Sequence, residues 1–391
     1  MELCGTSGVK LLRLAVAALA AGVTVGCGRT APRVAAPPPA PPPPPEVSEV
    51  DLRSYRPNEA GAVMVIMYHH ISAKKPNTDM NRTPEQFRKD LQDLYDRGYR
   101  PVTMREFAES KMDLPVGKSP VVLTFDDSYL TQFRYLDPGG LELDPDCAVG
   151  IMESFAQAHP DWKARATFFV LEGAANPPAF YQRGLTAQKF AYLIENGYEI
   201  GCHSLTHANF RRLSADAIQR QIGGAIRAIH EQAPNAEVTS LAIPYGNAPR
   251  DAKGKAACVA GAADGQDYRM SAVVMAAWRP TMATIGKVSA KPVFQGEMAA
   301  GDPKHIERIL PDPRKAKQAG TLEYYLKYFD ENPGMRYVSD GNPRVAAVPQ
   351  GVASMVDEAK VTALGRRLQT YTLSARTIRE PGAAAPSSGG R

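Results

Sequence analysis

The stretch from Val121 to Asp127, with the sequence VVLTFDD, most constrains what this chain can fold into. Its apolar and β-branched residues predict a buried strand, which ends at two adjacent carboxylates, Asp126 and Asp127. Two like charges so close together are stable only with a cation or a proton between them. Two interpretations are open: the strand end is a metal site, or Asp127 or Ser128 caps a helix that begins at Tyr129.

Strand-like and helix-like segments alternate along the middle of the chain. Long apolar runs predict strands covered on both faces, and apolar stripes at helical spacing predict the helices between them. This alternation predicts an α/β fold with a parallel sheet or barrel, whose active site lies at the carboxyl ends of the strands. The predicted strands are 63–68, 99–103, 121–125, 166–170, 198–202, 238–243 and 271–275, and the predicted helices are 84–97, 105–110, 151–158, 186–196 and 214–231.

The composition is that of an ordinary globular protein and excludes several classes. The chain has 391 residues, of which 44% are hydrophobic and 22% charged, enough for one large domain or two small ones. The net charge of +5 is mild, and no basic run with interleaved aromatic residues occurs, so nucleic acid is not expected as a partner. Five cysteines are too few for a disulfide-rich scaffold.

The first 27 residues have the pattern of an export signal. Lys10 and Arg13 precede an apolar run, 14–25, that is too short to span a bilayer as a mature helix. The run ends in TVGC, which resembles a bacterial lipoprotein cleavage box, although Thr24 stands where Leu is usual. We therefore expect a lipidated Cys27 and an exported lipoprotein anchored in the bacterial cell envelope; ordinary signal cleavage nearby is the alternative.

A proline-rich linker is expected at 28–60, because nine of the fifteen residues from 31 to 45 are proline. Such a run favours polyproline II and reaches roughly 45 Å from its anchor at about 3.1 Å per residue. The folded domain is then expected at 61–345. After it, 346–391 is predicted to hold one helix, 352–371, and a disordered tail rich in Gly, Ala, Pro and Ser.

His203 and His207 follow another predicted strand and are four residues apart. In a helical turn that spacing places both imidazoles on one face. Position 204 is Ser rather than the Glu that would serve as a base in zinc proteases with this spacing, so the base must come from Asp126 or Asp127. Two histidines and one carboxylate suit a zinc-like ion with open positions, and the remaining Asp can accept a proton from water.

These motifs resemble a known family. The segments TFDD at 124–127 and HSLTH at 203–207 look like the first two motifs of the polysaccharide deacetylases, which are carbohydrate esterase family 4 with the NodB homology domain. MYHHI at 67–71 resembles the opening strand of the poly-N-acetylglucosamine deacetylase branch, and ATFFV at 166–170 a further family strand. IPYG at 243–246 resembles the third motif. The resemblance covers roughly 61–311.

The resemblance implies a distorted (β/α) barrel of seven or eight parallel strands and a metal-dependent hydrolase of linear amides. It implies that Asp127, His203 and His207 bind a divalent metal, with Zn²⁺ expected and Co²⁺ or Ni²⁺ open, and that Asp126 is the general base. The backbone N–H of Tyr245, in the turn after Pro244, would bind the oxyanion.

The implied substrate is an N-acetylglucosamine-containing polysaccharide of the cell envelope or the extracellular space. Two alternatives remain open: an O-acetyl esterase of the xylan type, and a catalytically inactive lipoprotein that binds carbohydrate. An intact base together with three metal ligands argues against the inactive binder.

The chain departs from the family pattern at several positions. Ala242 stands where an Arg usually orients the base, and Arg308 is the candidate to replace that Arg. The late Leu-x-His motif, which supplies the acid, is not evident, so His305 and His69 are the candidates.

Further residues have weaker signals. Trp278 is a candidate for the wall of the acetyl pocket, although a lone Trp is more often core. Cys147 and Cys258 lie in segments that look like loops, and spacing alone leaves open whether they pair.

Overall fold

The computed structural model describes residues 46–76, 78–137, 139, 141–173, 177–276, 278–288 and 298–372. The expected signal peptide, Cys27, the proline run at 31–45 and the tail from 381 all lie outside these residues. Among the described residues, no helix combines the length and the apolar character needed to cross a membrane.

The strands are short and mostly buried, as the continuous apolar runs of the sequence predict. In chain order they are β1 (Ala62–Tyr68), β2 (His70–Ile71), β3 (Asn81–Arg82), β4 (Tyr99–Val102), β5 (Ser119–Asp126), β6 (Thr167–Val170), β7 (Glu199–Cys202), β8 (Ser240–Ala242), β9 (Ala260–Ala263), β10 (Gln266–Arg269), β11 (Ala272–Val274), β12 (Thr281–Met282), β13 (Val345–Pro349) and β14 (Arg367–Tyr371).

All of the described α-helices except Thr186–Glu195 begin after a residue whose side chain caps the helix. The Thr83 hydroxyl accepts from the Gln86 N–H at 3.2 Å, and Ser214 caps the longest helix in the same way. The α-helices are α1 (Glu49–Tyr55), α2 (Pro84–Asp96), α3 (Met104–Ala108), α4 (Ala148–Ala158), α5 (Thr186–Glu195), α6 (Ala215–Gln232), α7 (Ala252–Val259), α8 (Leu322–Glu331) and α9 (Glu358–Ala363).

One curled, mostly parallel sheet organises the domain. Its strand order is β11-β8-β7-β6-β5-β1-β12, and β4 pairs with the early part of β5. All of these pairings are parallel except β1 with β12, where Ala62 lies opposite Met282. This arrangement confirms the predicted distorted barrel of parallel strands.

The short segment Ile306–Ile309 closes the barrel between β11 and β1. On one side the Met275 N–H donates to the Ile306 carbonyl at 2.7 Å, and on the other the Met67 N–H donates to the Ile309 carbonyl at 2.9 Å. Isolated bridges pair Ile306 with Val274 and Ile309 with Ile66. A segment that is too short to look like a strand therefore completes the ring of strands.

Alternation along the barrel strands divides the core into two faces. In β5, Val121, Leu123 and Phe125 pack in a cluster with residues of α2 and α5, outside the barrel. Val122 packs in a second cluster with residues of β1, β8 and β11, inside the barrel. Successive side chains of a strand point to opposite faces, so Asp126 lies on the interior face with Val122.

Both ends of the folded region differ from the sequence-based expectation. Helix α1 lies within the segment predicted as linker, and Val47 and Leu52 pack against Val345 and Tyr371. The predicted helix 352–371 is wrong, because a 3₁₀ turn at Gln350–Met355 and the short α9 stand in its place and β14 pairs in parallel with β13. β14 is a strand because it pairs with β13, and this pairing cannot be read from the sequence of 352–371 alone.

The cysteines do not behave as the sequence suggested. Cys147 is the N-cap of α4 and Cys258 lies inside α7, so neither is in an open loop. Both are buried and free, as is Cys202. The open suggestion that Cys147 and Cys258 pair is therefore wrong in this structure, and burial raises the pKa of all three thiols.

Lys189 in α5 is a buried cation. Its ammonium group donates to the carbonyl oxygens of Phe133 at 2.8 Å and Phe180 at 3.1 Å, and its side chain is fully enclosed. Burial lowers the pKa of Lys189 to about 7, whereas an unfolded Lys titrates near 10.5. Between these two values the unfolded chain binds one proton more than the folded chain, so the free energy of unfolding rises with pH.

We expect Lys189 to raise the free energy of unfolding by about 2 kcal/mol between pH 7 and pH 9. Urea unfolding at the two pH values measures this rise, and Lys189→Met should lack it. Lys327→Met, which removes an exposed ammonium group from α8, is the control and should keep it. A Lys189→Met protein with the full pH dependence of the native chain would contradict the assignment.

Candidate metal-binding active site

The two acids stand where β5 ends and the backbone turns sharply. Asp126 is the last residue of the strand, while Asp127 and Ser128 have φ values of 72° and 51°. Two successive left-handed residues other than Gly are costly, and such strain is found mostly where function requires a particular geometry. No helix begins at Tyr129 in the described residues, so the helix-cap interpretation is wrong.

The two histidines come together in a loop and not in the helical turn expected from their spacing. His203 follows β7 directly, and Ser204 and His207 have φ values of 69° and 53°. The two imidazole centroids are 5.0 Å apart. The two rings, four residues apart in sequence, therefore meet because the backbone adopts left-handed conformations between them. The spacing alone does not distinguish this loop from a helical turn.

Asp127, His203 and His207 place one ligand atom each within 4.8 Å of the others. The Asp127 Oδ1 atom lies 3.3 Å from Nε2 of His203 and 3.4 Å from Nε2 of His207. That Oδ1 atom is buried and has no hydrogen-bond partner among the described residues. One carboxylate and two imidazoles are the donors that zinc prefers at catalytic sites, so the residues fit a divalent cation.

The hydrogen bond of His203 prepares its ring as a ligand. Its Nδ1 atom lies 2.8 Å from the Ala242 carbonyl oxygen, which can only accept, so Nδ1 carries the proton. In the neutral ring Nε2 then has its lone pair free and directed at Asp127. Metal-binding histidines commonly have such a backbone partner, which fixes the tautomer and the orientation of the ring.

The electrostatics of the cluster favour a positive charge between the acids. Burial opposes the charged form of every group here, but His203 and His207 outweigh it at Asp127 and lower the pKa of that carboxyl. Burial likewise opposes the imidazolium of His203, yet Asp126 and Asp127 raise its pKa. A divalent cation can supply this positive charge in place of the His203 proton.

Arg308 lies against Asp126 in a two-pronged ion pair. Its Nη1 atom is 2.7 Å from Oδ1 and its Nη2 atom 2.8 Å from Oδ2 of the carboxylate. The guanidinium also donates to the Met275 carbonyl and the Thr124 hydroxyl, and it is almost fully enclosed. Burial would raise the pKa of Asp126, but Arg308 outweighs burial and lowers it. The carboxylate is thus held ionised and in one orientation.

The two candidate proton donors have very different surroundings. His69 is buried, its Nδ1 atom has no described hydrogen-bond partner, and both Asp126 and Asp127 influence its pKa, which burial lowers. His305 has an exposed side chain whose Nε2 atom lies 4.0 Å from Glu307. Gln132 Nε2 donates both to the His69 carbonyl, at 2.9 Å, and to the Asp126 carbonyl, at 2.5 Å, so the backbone of His69 lies beside that of Asp126, whereas the His305 side chain is exposed.

The turn Pro244–Gly246 borders the histidines. Tyr245 has a φ of 58°, and its ring lies 4.3 Å from the His207 ring, centroid to centroid. The carbonyl of Ala242, two residues before Pro244, accepts from His203. The small Ala242 side chain is buried inside the barrel, in the cluster with Val274 and Ile306.

Trp278 lies on the loop after β11 and is half exposed. Tyr325 donates to its carbonyl oxygen at 3.5 Å. None of the described contacts of Trp278 involves Asp127 or the two histidines, so the structure does not place it at the site.

The sequence did not predict an aromatic stack that begins at His70, the residue after His69. The His70 ring lies 3.7 Å from Tyr129, which in turn lies 6.2 Å from Tyr181, with interplanar angles of 23° and 24°. Burial and the Asp127 carboxylate both raise the pKa of Tyr129. Tyr181 is 46% exposed. The position of Tyr129, two residues after Asp127, could have indicated its place near the site, whereas nothing in the sequence around Tyr181 did so.

The loop that carries Tyr181 is hydrogen-bonded to the turn at Asp127 and Ser128. Phe180 and Tyr181 have φ values of 59° and 55°, which bulky residues rarely adopt. The Phe180 N–H donates to the Ser128 carbonyl at 2.8 Å, and its own carbonyl accepts from Lys189. These bonds hold the strained turn, so the exposed ring is fixed relative to Asp127.

Residues 113–260 match the family model described as polysaccharide deacetylase. Similar solved structures include a Streptococcus pyogenes deacetylase, PplD, in complex with acetate; it is 19% identical, with 66% of this chain and 98% of that chain covered and a TM-score of 0.45. A polysaccharide deacetylase from Bacillus cereus is 15% identical over 68% of each chain, with a TM-score of 0.45. IcaB from Ammonifex degensii is 15% identical, covering 66% of this chain and 94% of that chain, with a TM-score of 0.41.

These identities and TM-scores are too low to indicate a shared activity, so the enzyme class of this chain is inferred from the family match. The matched segment contains both acids, both histidines and the Pro244–Gly246 turn. It begins after His69 and ends before Arg308, so the family match does not cover these two residues. The chain is therefore a hydrolase that contains a polysaccharide deacetylase domain.

Proposed function

We propose that this protein is a divalent-metal-dependent hydrolase that removes N-acetyl groups from an N-acetylglucosamine-containing polysaccharide. The observation that carries the proposal is the Asp126 carboxylate, held ionised by Arg308 next to Asp127, His203 and His207. A separate, oriented base beside a set of metal ligands is the arrangement that hydrolysis by an activated water requires.

Asp127, His203 and His207 would hold the ion, with Zn²⁺ as the expected metal and Co²⁺ or Ni²⁺ as alternatives. When bound, the ion supplies Lewis-acid polarisation of the acetyl carbonyl and acidifies water. Asp126 accepts the proton from the attacking water, and the two N–H groups of Arg308 keep both of its oxygens in place while it does so.

The groups around the base complete the reaction. The backbone N–H of Tyr245 stabilises the developing oxyanion, a role that depends on the turn and not on the phenol. His69 delivers a proton to the leaving amine. Burial lowers the pKa of His69, while the neighbouring carboxylates Asp126 and Asp127 favour its charged form.

The stack of His70, Tyr129 and Tyr181 offers a face on which a sugar ring of the substrate can lie. We expect Tyr181→Ala to raise KM several-fold, up to about tenfold, with kcat largely retained, because a flat apolar contact worth about 1 kcal/mol is lost. Kinetics of acetate release measure this, and Tyr181→Phe, which keeps the ring, should behave as the native protein. Equal KM values for the Ala and Phe variants would remove the stack from substrate binding.

The proposed location is the bacterial cell envelope, with the chain exported and anchored in the membrane through a lipidated Cys27. The apolar run 14–25, the TVGC segment and the proline-rich spacer after it support this proposal. A spacer that reaches roughly 45 Å would let an anchored domain work on a nearby polymer.

Acetate release tests the proposal and separates it from its alternatives. The protein, stripped of metal and reloaded with Zn²⁺, Co²⁺ or Ni²⁺, is assayed on N-acetylglucosamine oligomers and on acetylated xylan. Acetate from the oligomers, lost after chelation and restored by metal, is the expected result. Acetate from xylan alone would indicate the O-acetyl esterase, and binding without release under every metal would indicate the inactive binder.

A further inference from the structure

A cavity of ≈ 660 Å³ adjoins the proposed active site. Ile243 and Gly246 form part of its wall, and both flank the turn whose Tyr245 contacts His207. Asp127, His203 and His207 themselves are not among its lining residues. The cavity is therefore next to the metal-binding group but separate from it, and no role described above accounts for it.

Positive charge dominates this cavity. Arg211, Arg250 and Lys255 line it with exposed side chains, and none of them forms an ion pair within the described part of the chain. Lys304 adds a fourth cation, which is fixed by donation to the Ser271 carbonyl at 2.7 Å and to the Met270 carbonyl. Like charges gathered in one concave site raise the local potential and attract anions.

The nearby carboxylates are already engaged by backbone amides. Asp302, which lines the cavity, accepts from the Lys304 N–H at 2.8 Å. Asp251, beside Arg250, caps α7 by accepting from the Gly254 N–H at 2.8 Å. The described acids therefore leave the side chains of Arg211, Arg250 and Lys255 available to a ligand.

Two of these cations lie on the loops that also contain His207 and Tyr245. Arg211 lies four residues after His207, in the 3₁₀ turn Phe210–Arg212, and Arg250 lies four residues after Gly246. The wall of the cavity is apolar and includes Cys258, Val259, Val273 and Met275. An apolar wall with a cationic rim suits a sugar ring that carries an anionic substituent.

We propose that this cavity is a subsite for an anionic group, a carboxylate or a phosphate, carried by the polysaccharide a short distance from the N-acetylated sugar. The proposal rests on the proposed function and narrows it, because a neutral homopolymer of N-acetylglucosamine offers no anion to Arg211, Arg250 and Lys255. Guanidinium groups bind both anions in a two-pronged geometry, so the shared chemistry is an oxyanion.

Equilibrium binding without turnover tests the subsite. Isothermal calorimetry compares oligosaccharides of equal length: neutral N-acetylglucosamine, N-acetylglucosamine alternating with glucuronate, and N-acetylglucosamine bearing 6-phosphate. We expect the native protein to bind at least one acidic oligomer with a Kd at least about tenfold lower than the neutral one, a preference that falls in high salt. If the glucuronate oligomer binds more tightly the group is a carboxylate, and if the 6-phosphate oligomer binds more tightly it is a phosphate.

The double variant Arg250→Gln/Lys255→Gln should lose this preference while its Kd for the neutral oligomer stays unchanged. Lys253→Gln is the matched control, because it removes an exposed cation from the same helix, α7, outside the cavity. Equal affinity of the native protein for all three oligomers, or a preference that survives in the double variant, overturns the proposal. Because binding is read separately, a failure of acetate release would count against the proposed function alone.

Discussion

Replacing Asp126 with Asn should lower kcat by about a thousandfold while the metal ligands remain in place. A general base typically contributes about 10²- to 10⁴-fold, and the amide cannot accept the proton that the carboxylate takes from water. Asn has nearly the same shape, so Asp127, His203 and His207 keep their positions. The measurement is acetate release, together with metal affinity by calorimetry, which should change little.

Asp90→Asn is the matched control for this variant. Asp90 is also a buried carboxylate paired with a buried arginine, Arg82, whose Nε atom donates to it at 2.9 Å. The control should therefore share any loss of stability but keep its activity. Full activity in Asp126→Asn would exclude Asp126 as the base, and equal losses in both variants would show that stability alone is responsible.

Replacing Arg308 with Met should lower both stability and activity. The change leaves the Asp126 carboxylate buried without its partner, which typically costs about 3–5 kcal/mol of unfolding free energy. It also frees the carboxylate to rotate, so kcat should fall at least about tenfold even where the protein is folded. Urea unfolding and acetate release at a temperature well below the unfolding transition measure the two effects separately.

A double-mutant cycle identifies the source of the instability. In Asp126→Asn/Arg308→Met no charge is left unpaired, so the double variant should be more stable than Arg308→Met alone. Arg82→Met, in the second buried pair, provides the comparison outside the active site and should leave kcat unchanged. Additive losses in the cycle would mean that Arg308 does not act through Asp126.

Local patterns in the sequence determined the strands of the barrel and much of the candidate site. The continuous apolar run that ends at Asp126 predicts a strand buried on both faces, and β5 is such a strand. The two acids stand at the end of one strand and the two histidines follow another, and carboxyl ends of parallel strands meet at one end of a barrel. Their proximity could therefore be predicted from the order of residues, and the structure shows it.

Only the tertiary structure decided which residues surround Asp126. Arg308 is 182 residues away in sequence and lies on a segment too short to be recognised as a strand. It reaches the carboxylate because that segment closes the barrel between β11 and β1, and because alternation along β5 turns Asp126 inward. The same applies to Tyr181 and to β14, whose contacts are made by backbone turns and partners distant in the chain. Local sequence patterns report the preferences of single segments, whereas Asp126 and Arg308 are brought together by the closure of the whole barrel.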